Sequence, residues 1–103
     1  MTKKILLACA GGFSTSMLVE KMKEAVSKKG LDILIDACAE GSVENYLPVD
    51  IIMLGPQMGH AEEDVKEKTE NKIPVTVIDM IDYGTMNGEK VLNTALEIIE
   101  LSK

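Results

Sequence analysis

The residues best suited to chemistry lie in one run near the start of the chain: Cys9-Ala10-Gly11-Gly12-Phe13-Ser14-Thr15-Ser16. It follows a short apolar stretch, Ile5–Ala8, and opens a segment whose apolar residues recur at helical spacing. Gly11 and Gly12 permit the tight turn in which backbone N–H groups converge. Ser14, Thr15 and Ser16 add hydroxyls and N-cap oxygens. A helix start usually welcomes a carboxylate, yet the first acid after Cys9 is Glu20. A positive helix end kept clear of side-chain acids suits an incoming anion such as phosphate. That end also favours the thiolate of Cys9, the nucleophilic form of the group. The bland alternative makes Cys9 a small buried hydrophobe and the glycines a plain turn. The combination of strand, cysteine, paired glycines, hydroxyls and helix favours the functional reading.

What surrounds the thiol narrows the reaction. The chain has no arginine, and the position six residues after Cys9, where hydrolytic cysteine–phosphate loops carry one, is Thr15. Without a bidentate guanidinium the hydrolytic transition state is poorly stabilised, so a phosphocysteine formed here should persist long enough to be passed on. Position 12 is glycine, so no C-x-x-C redox motif exists. With two cysteines 29 residues apart and one histidine, neither a disulfide framework nor a zinc site is expected, and no cofactor is implied.

Four short β-branched or leucine-rich runs could hold this loop: Ile5–Ala8, Ile33–Ile35, Ile51–Leu54 and Val75–Ile78. Between and after them lie helical patterns: Met17, Leu18, Met22, Ala25 and Val26; then Val91, Leu92, Ala95, Leu96 and Ile99. The polar stretch 58–71 carries a single apolar stripe of Met58, Ala61 and Val65. Alternating strands and helices predict an α/β fold, a parallel sheet with helices on both faces, in one domain over residues 1–103. Asp32, Leu34, Asp36 and Cys38 form a half-polar face, which makes the second strand an edge. Right-handed crossovers then give the order 2-1-3-4. The switch point falls between strands one and three, where the loops starting at Cys9 and Gly55 meet. The first helix should run to about Lys29 and stop at Gly30, with Lys28 and Lys29 on its negative end.

The 103 residues carry a formal charge of −6. Residues 1–30 have a net charge of +4 and the rest −10. The early lysines do not serve the loop. Lys3 and Lys4 begin strand one at the far end, and Lys28 and Lys29 end a helix roughly 20 Å away. An acidic chain without arginine excludes nucleic acid and anionic membrane surfaces. No apolar run nears the roughly 18 residues of a membrane span. Only four apolar residues stand between Lys4 and Cys9, too few for a signal peptide, so a cytoplasmic protein is expected.

These residues resemble the lactose/cellobiose (chitobiose) class of IIB components of the bacterial sugar phosphotransferase system. The resemblance spans essentially the whole chain. It rests on Ile5–Leu18, on Asp50-Ile51-Ile52-Met53-Leu54-Gly55-Pro56-Gln57, and on Val77-Ile78-Asp79 through Tyr83-Gly84 to Met86-Asn87-Gly88. It implies that Cys9 accepts a phosphoryl group from a phosphohistidine of a IIA protein, with residues Ala10, Gly11, Gly12, Phe13, Ser14, Thr15 and Ser16 binding it. The group would pass to a sugar, commonly a β-linked disaccharide, brought in by a membrane IIC transporter. The family fold is a four-stranded parallel sheet of order 2-1-3-4.

Around that loop, Gln57, His60 and Tyr83 are candidates for the rim. Gln57 leaves strand three beside the Cys9 loop, against the alternative of an ordinary turn set by Pro56. His60 invites a general-base role but fits the first turn of a polar helix. Tyr83 follows strand four, and local packing is its alternative. Asp79 and Asp82 read as capping or surface residues. Cys38 reads as a half-exposed structural thiol near the same sheet end as Cys9. Two other functions stay open at this point: a non-catalytic anion-binding regulatory module, and a redox-sensing protein using Cys9 and Cys38.

Overall fold

A computed structural model describes residues 2–9 and 13–102, and the side chains of all of these except 13–15 and 40. Four parallel strands, β1 (Lys3–Cys9), β2 (Ile33–Ala39), β3 (Ile51–Leu54) and β4 (Val75–Val77), form one sheet in the order β2-β1-β3-β4. This is the expected order. Residues 5–9 of β1 and all of β3 are buried, as befits central parallel strands covered on both faces. β2 keeps Ile35 buried while Leu34 and Asp36 are exposed, which is the pattern of an edge strand.

Two cores flank the sheet. On one side Ile5, Leu7, Ile35, Ile51 and Met53 pack against Leu18, Val19, Met22 and Ala25 of α1 (Phe13–Lys29) and Val91, Leu92, Ala95 and Ile99 of α4 (Gly88–Leu101). On the other, Leu6, Ala8, Ile52, Leu54 and Val75 meet Val43, Met58, Ala61 and Val65. Those four come from a 3-10 segment at Glu40–Tyr46, a second at Pro56–Ala61, and α2 (Glu62–Lys68). A short α3 (Met80–Gly84) precedes α4.

The helix ends follow the sequence signals. α1 has no acid in its first turn and Lys28 and Lys29 in its last. It stops at Gly30, whose φ of 64° is the left-handed conformation glycine tolerates. The Gly30 N–H donates to Ser27 C=O at 3.2 Å and the Leu31 N–H to Val26 C=O at 3.1 Å, the paired bonds of a Schellman cap. Asp79 caps α3, accepting from the N–H groups of Ile81 and Asp82 at 3.0 and 3.2 Å. Asn87 caps α4 by accepting from the Lys90 N–H.

Several expectations needed correction. The stretch 58–71 is not one helix: it breaks into the Pro56–Ala61 segment, kinked at Met58, and α2. Pro56 opens that segment and Gly59 weakens it, so a tighter 3-10 path precedes the helix. Its predicted stripe is nonetheless buried at Met58, Ala61 and Val65. Asp82 is not a surface residue but is buried, with Lys90 Nζ 3.6 Å from its carboxylate. Cys38 is buried rather than half-exposed, because the Glu40–Tyr46 segment folds back and brings Val43 into the cluster around it.

Candidate functional site

Cys9 is the last residue of β1, at the C-terminal edge of the sheet, and only 2% of it is exposed. It stands in register with Ala39 of β2, and Ala8 with Leu54 of β3. The reversal of strand order between β1 and β3 places it at the switch point, where open α/β sheets bind ligands. α1 begins four residues later at Phe13. Its N-terminal end is free of acids, so the helix dipole and the amide donors of its first turn offer positive charge to whatever occupies the loop.

The loop leaving β3 is fastened to this point. The Gly55 N–H donates to Ala8 C=O at 3.1 Å, one residue before the thiol. Gln57 folds back over Gly55: its Oε1 lies 3.1 Å from where a Gly55 Cβ would sit. A side chain at position 55 would therefore displace the Gln57 amide. The Gln57 side chain thus lies against Gly55, whose backbone is tied to the residue before Cys9.

His60 is exposed and lies in the last turn of the Pro56–Ala61 segment, not in the first turn of a helix. Nothing described brings it to Cys9. Tyr83 is half-buried in α3, packed against the core shared by α1 and α4. That is the packing role weighed against the rim role. Ser16 is exposed near the start of α1. Ala10, Gly11 and Gly12 lie outside the described residues, as do the side chains of Phe13, Ser14 and Thr15. No group of His, Cys, Asp and Glu able to hold a metal occurs among the described residues. No helix of the described residues is long and apolar enough to cross a membrane.

One neighbour was underestimated from sequence. Cys38 packs in the same apolar cluster as Cys9, and neither cysteine is in a disulfide. Burial pushes the Cys38 thiol up to about 11, with the charges of Cys9 and Asp36 adding to the rise. Cys38 therefore stays protonated at neutral pH. The signal available in the sequence was the position of the two cysteines near the same end of adjacent strands. The segment that covers Cys38 left no such trace.

Comparison with known proteins gives a consistent set of similarities. The family profile described as "PTS system, Lactose/Cellobiose specific IIB subunit" matches residues 4–94. The galactose-specific EIIB component of Lactococcus lactis subsp. cremoris is 42% identical over 100 residues, covering 90% of this chain and 93% of that protein. The oligo-beta-mannoside-specific EIIB component of Bacillus subtilis is 40% identical over 99 residues, covering 94% and 96%. The solution structure of the cellobiose-specific phosphotransferase IIB component protein from Borrelia burgdorferi has a TM-score of 0.83 and 37% identity, covering 100% of this chain and 96% of that one.

Proposed function

The chain belongs to the lactose/cellobiose-specific IIB family of the sugar phosphotransferase system, and from that premise we propose that it relays a phosphoryl group through Cys9. The observation that carries the reading is the position of Cys9. It ends a central strand at the switch point, immediately before a helix whose first turn holds no acid.

In the first half-reaction the Cys9 thiolate attacks the phosphorus of a phosphohistidine on a IIA protein. The S–P bond forms as the N–P bond breaks, and the imidazole leaves in line. The acid-free start of α1 and the amides and hydroxyls of Ala10, Gly11, Gly12, Phe13, Ser14, Thr15 and Ser16 hold the phosphoryl oxygens. Gln57, folded over Gly55, is the rim residue that borders the phosphoryl group. In the second half-reaction a sugar hydroxyl, presented by a membrane IIC transporter, attacks the phosphorus. The C–O–P bond forms, the S–P bond breaks, and the thiolate is regenerated. The partners supply the in-line geometry and exclude water. The specificities named for the relatives (galactose, oligo-beta-mannoside, cellobiose) support a sugar cargo, commonly a β-linked disaccharide. The work is done at the cytoplasmic face, without cofactor or metal.

The test is Cys9→Ser given a phosphorylated IIA protein. A serine hydroxyl is nearly isosteric but far less acidic, so phosphoryl uptake should be lost while the fold, followed by circular dichroism, is unchanged. Uptake at the wild-type rate by the folded variant would end the proposal.

A further inference from the structure

Cys38 is the buried nucleophilic group that phosphoryl relay leaves unused. Its place in the sheet is specific. Ala8 pairs with Cys38 and Cys9 with Ala39, so the two cysteines are one step apart on adjacent strands. Strands about 4.8 Å apart with about 3.3 Å rise per residue put their Cα atoms about 6 Å from one another. That falls within the roughly 4.4–6.8 Å a disulfide requires. Strict alternation would turn Cys9 to the side of Ile5 and Leu7, away from Cys38. Instead Cys9 packs in the opposite cluster, with Leu6, Ala8 and Cys38. Val43, fully buried, closes the cluster.

We propose that Cys38 is the resolving thiol of a peroxide-sensitive switch, closing a reversible Cys9–Cys38 disulfide across β1 and β2 that turns phosphoryl acceptance off. The regulatory meaning rests on Cys9 being the acceptor. The oxidant is a hydroperoxide, of which hydrogen peroxide is the simplest. The Cys9 thiolate attacks one peroxide oxygen, the O–O bond breaks, and hydroxide leaves to take up a proton as water. Cys9 is then a sulfenic acid. The Cys38 sulfur attacks the Cys9 sulfur, the S–O bond breaks, and the departing hydroxide combines with the Cys38 proton as a second water. Two thiols have lost two electrons and two protons, and the peroxide has become two waters. The route that admits a phosphoryl group to Cys9 admits hydrogen peroxide, which is smaller. The order of events follows from the environment: Cys38, held protonated chiefly by burial, does not react first, and gives up its proton only as it attacks the Cys9 sulfenic acid beside it. A disulfide sulfur carries no thiolate, so acceptance stops until a dithiol restores it. A phosphorylated Cys9 is likewise shielded from peroxide, which confines the switch to the unloaded carrier.

The experiment treats the full chain with hydrogen peroxide and reads intact mass, peptide mapping and phosphoryl uptake. The wild type should lose the mass of two hydrogens, yield one peptide pair joined through Cys9 and Cys38, and lose uptake. Dithiothreitol should restore uptake to the untreated level. Cys38→Ala should match wild type in uptake before treatment, but after peroxide should gain one or more oxygens on Cys9 and accumulate loss that dithiothreitol does not restore. Oxygen addition at Cys9 of the wild type with no internal disulfide, or a disulfide found only between chains, would overturn the proposal. The mass arm needs no phosphoryl donor. An untreated protein that takes up no phosphoryl group therefore counts against the relay and leaves the disulfide result standing.

Discussion

Cys9 ends a central strand with 2% of its surface exposed. The start of α1, four residues on, holds no acid in its first turn. The same side-chain economy explains what the site omits. The chain has no arginine, so the proposed phosphoryl group would rest on amides and hydroxyls, which suits the proposed carrier better than a hydrolase. The position of Cys9 at the end of β1 was legible because its signal is local: strand, cysteine, two glycines and three hydroxyl residues in sequence. Gln57 was legible only as a neighbour, since its fold-back over Gly55 depends on the 3-10 turn. Cys38 was misjudged because its cover, Val43, sits in a segment with no periodicity to read.

Cys38 also carries a pH consequence. Its thiol ionises near 11 in the fold against 9.0 for an ordinary cysteine. The fold keeps it neutral, so this contribution is complete below pH 9 and is lost as pH rises through about 11. After discounting for solvent screening at this sheet edge, the shift corresponds to a loss on the order of 1 kcal/mol. Urea unfolding of wild type and Cys38→Ala at about pH 8 and about pH 10.5 reads this directly. The stability of the wild type relative to the variant should fall by that amount between the two. An unchanged difference would show that ionising Cys38 costs the fold nothing.

At the scale of elements, the long strands and helices followed from periodicity and the short pieces did not. α1 and α4 carry enough turns for an apolar face to show, and α1 ends at the glycine that its cap requires. The Glu40–Tyr46 segment and α3 are too short to display a face. Stretch 58–71 read as one helix because its apolar stripe has helical spacing on either side of the break. Gly88 gained its reason only from tertiary structure. A Cβ there would stand 2.5 Å from the Lys21 carbonyl carbon and 2.6 Å from the Met22 nitrogen, so α4 begins directly against the α1 backbone. Neither contact is the movable end of a side chain. Gly88→Ala should therefore destabilise by about 1–3 kcal/mol through forced separation of the helices. That outweighs the gain of less than about 1 kcal/mol from alanine's helix propensity, which is weak at a first helical position. The shift of the urea midpoint checks it, and a variant as stable as wild type would contradict this crossing.

At the scale of the molecule, the strand order was readable because two rules acted together. A half-polar second strand had to be an edge, and right-handed crossovers left one place for the others. The early lysines behave as their positions required. Lys21, Lys23, Lys28 and Lys29 are exposed, and Lys29 Nζ reaches Asn93 Oδ1 on α4 at 2.8 Å. Lys3 and Lys4 begin β1, at the opposite end of the strand from Cys9. The lysines of the first thirty residues thus lie chiefly on a solvated face, with Lys29 adding a helix–helix tie. What the sheet does supply is a rigid frame that brings the end of β1, the β3 loop anchored through Gly55, and the start of α1 to one corner. The relay is tested most directly by the intact mass of the protein after incubation with a phosphorylated IIA protein, followed by mapping of the adduct. The account predicts one added phosphoryl group per chain, on the peptide containing Cys9, discharged when the sugar and its IIC transporter are supplied. A mass that does not change, or a phosphoryl group found on His60 or any residue other than Cys9, would contradict it.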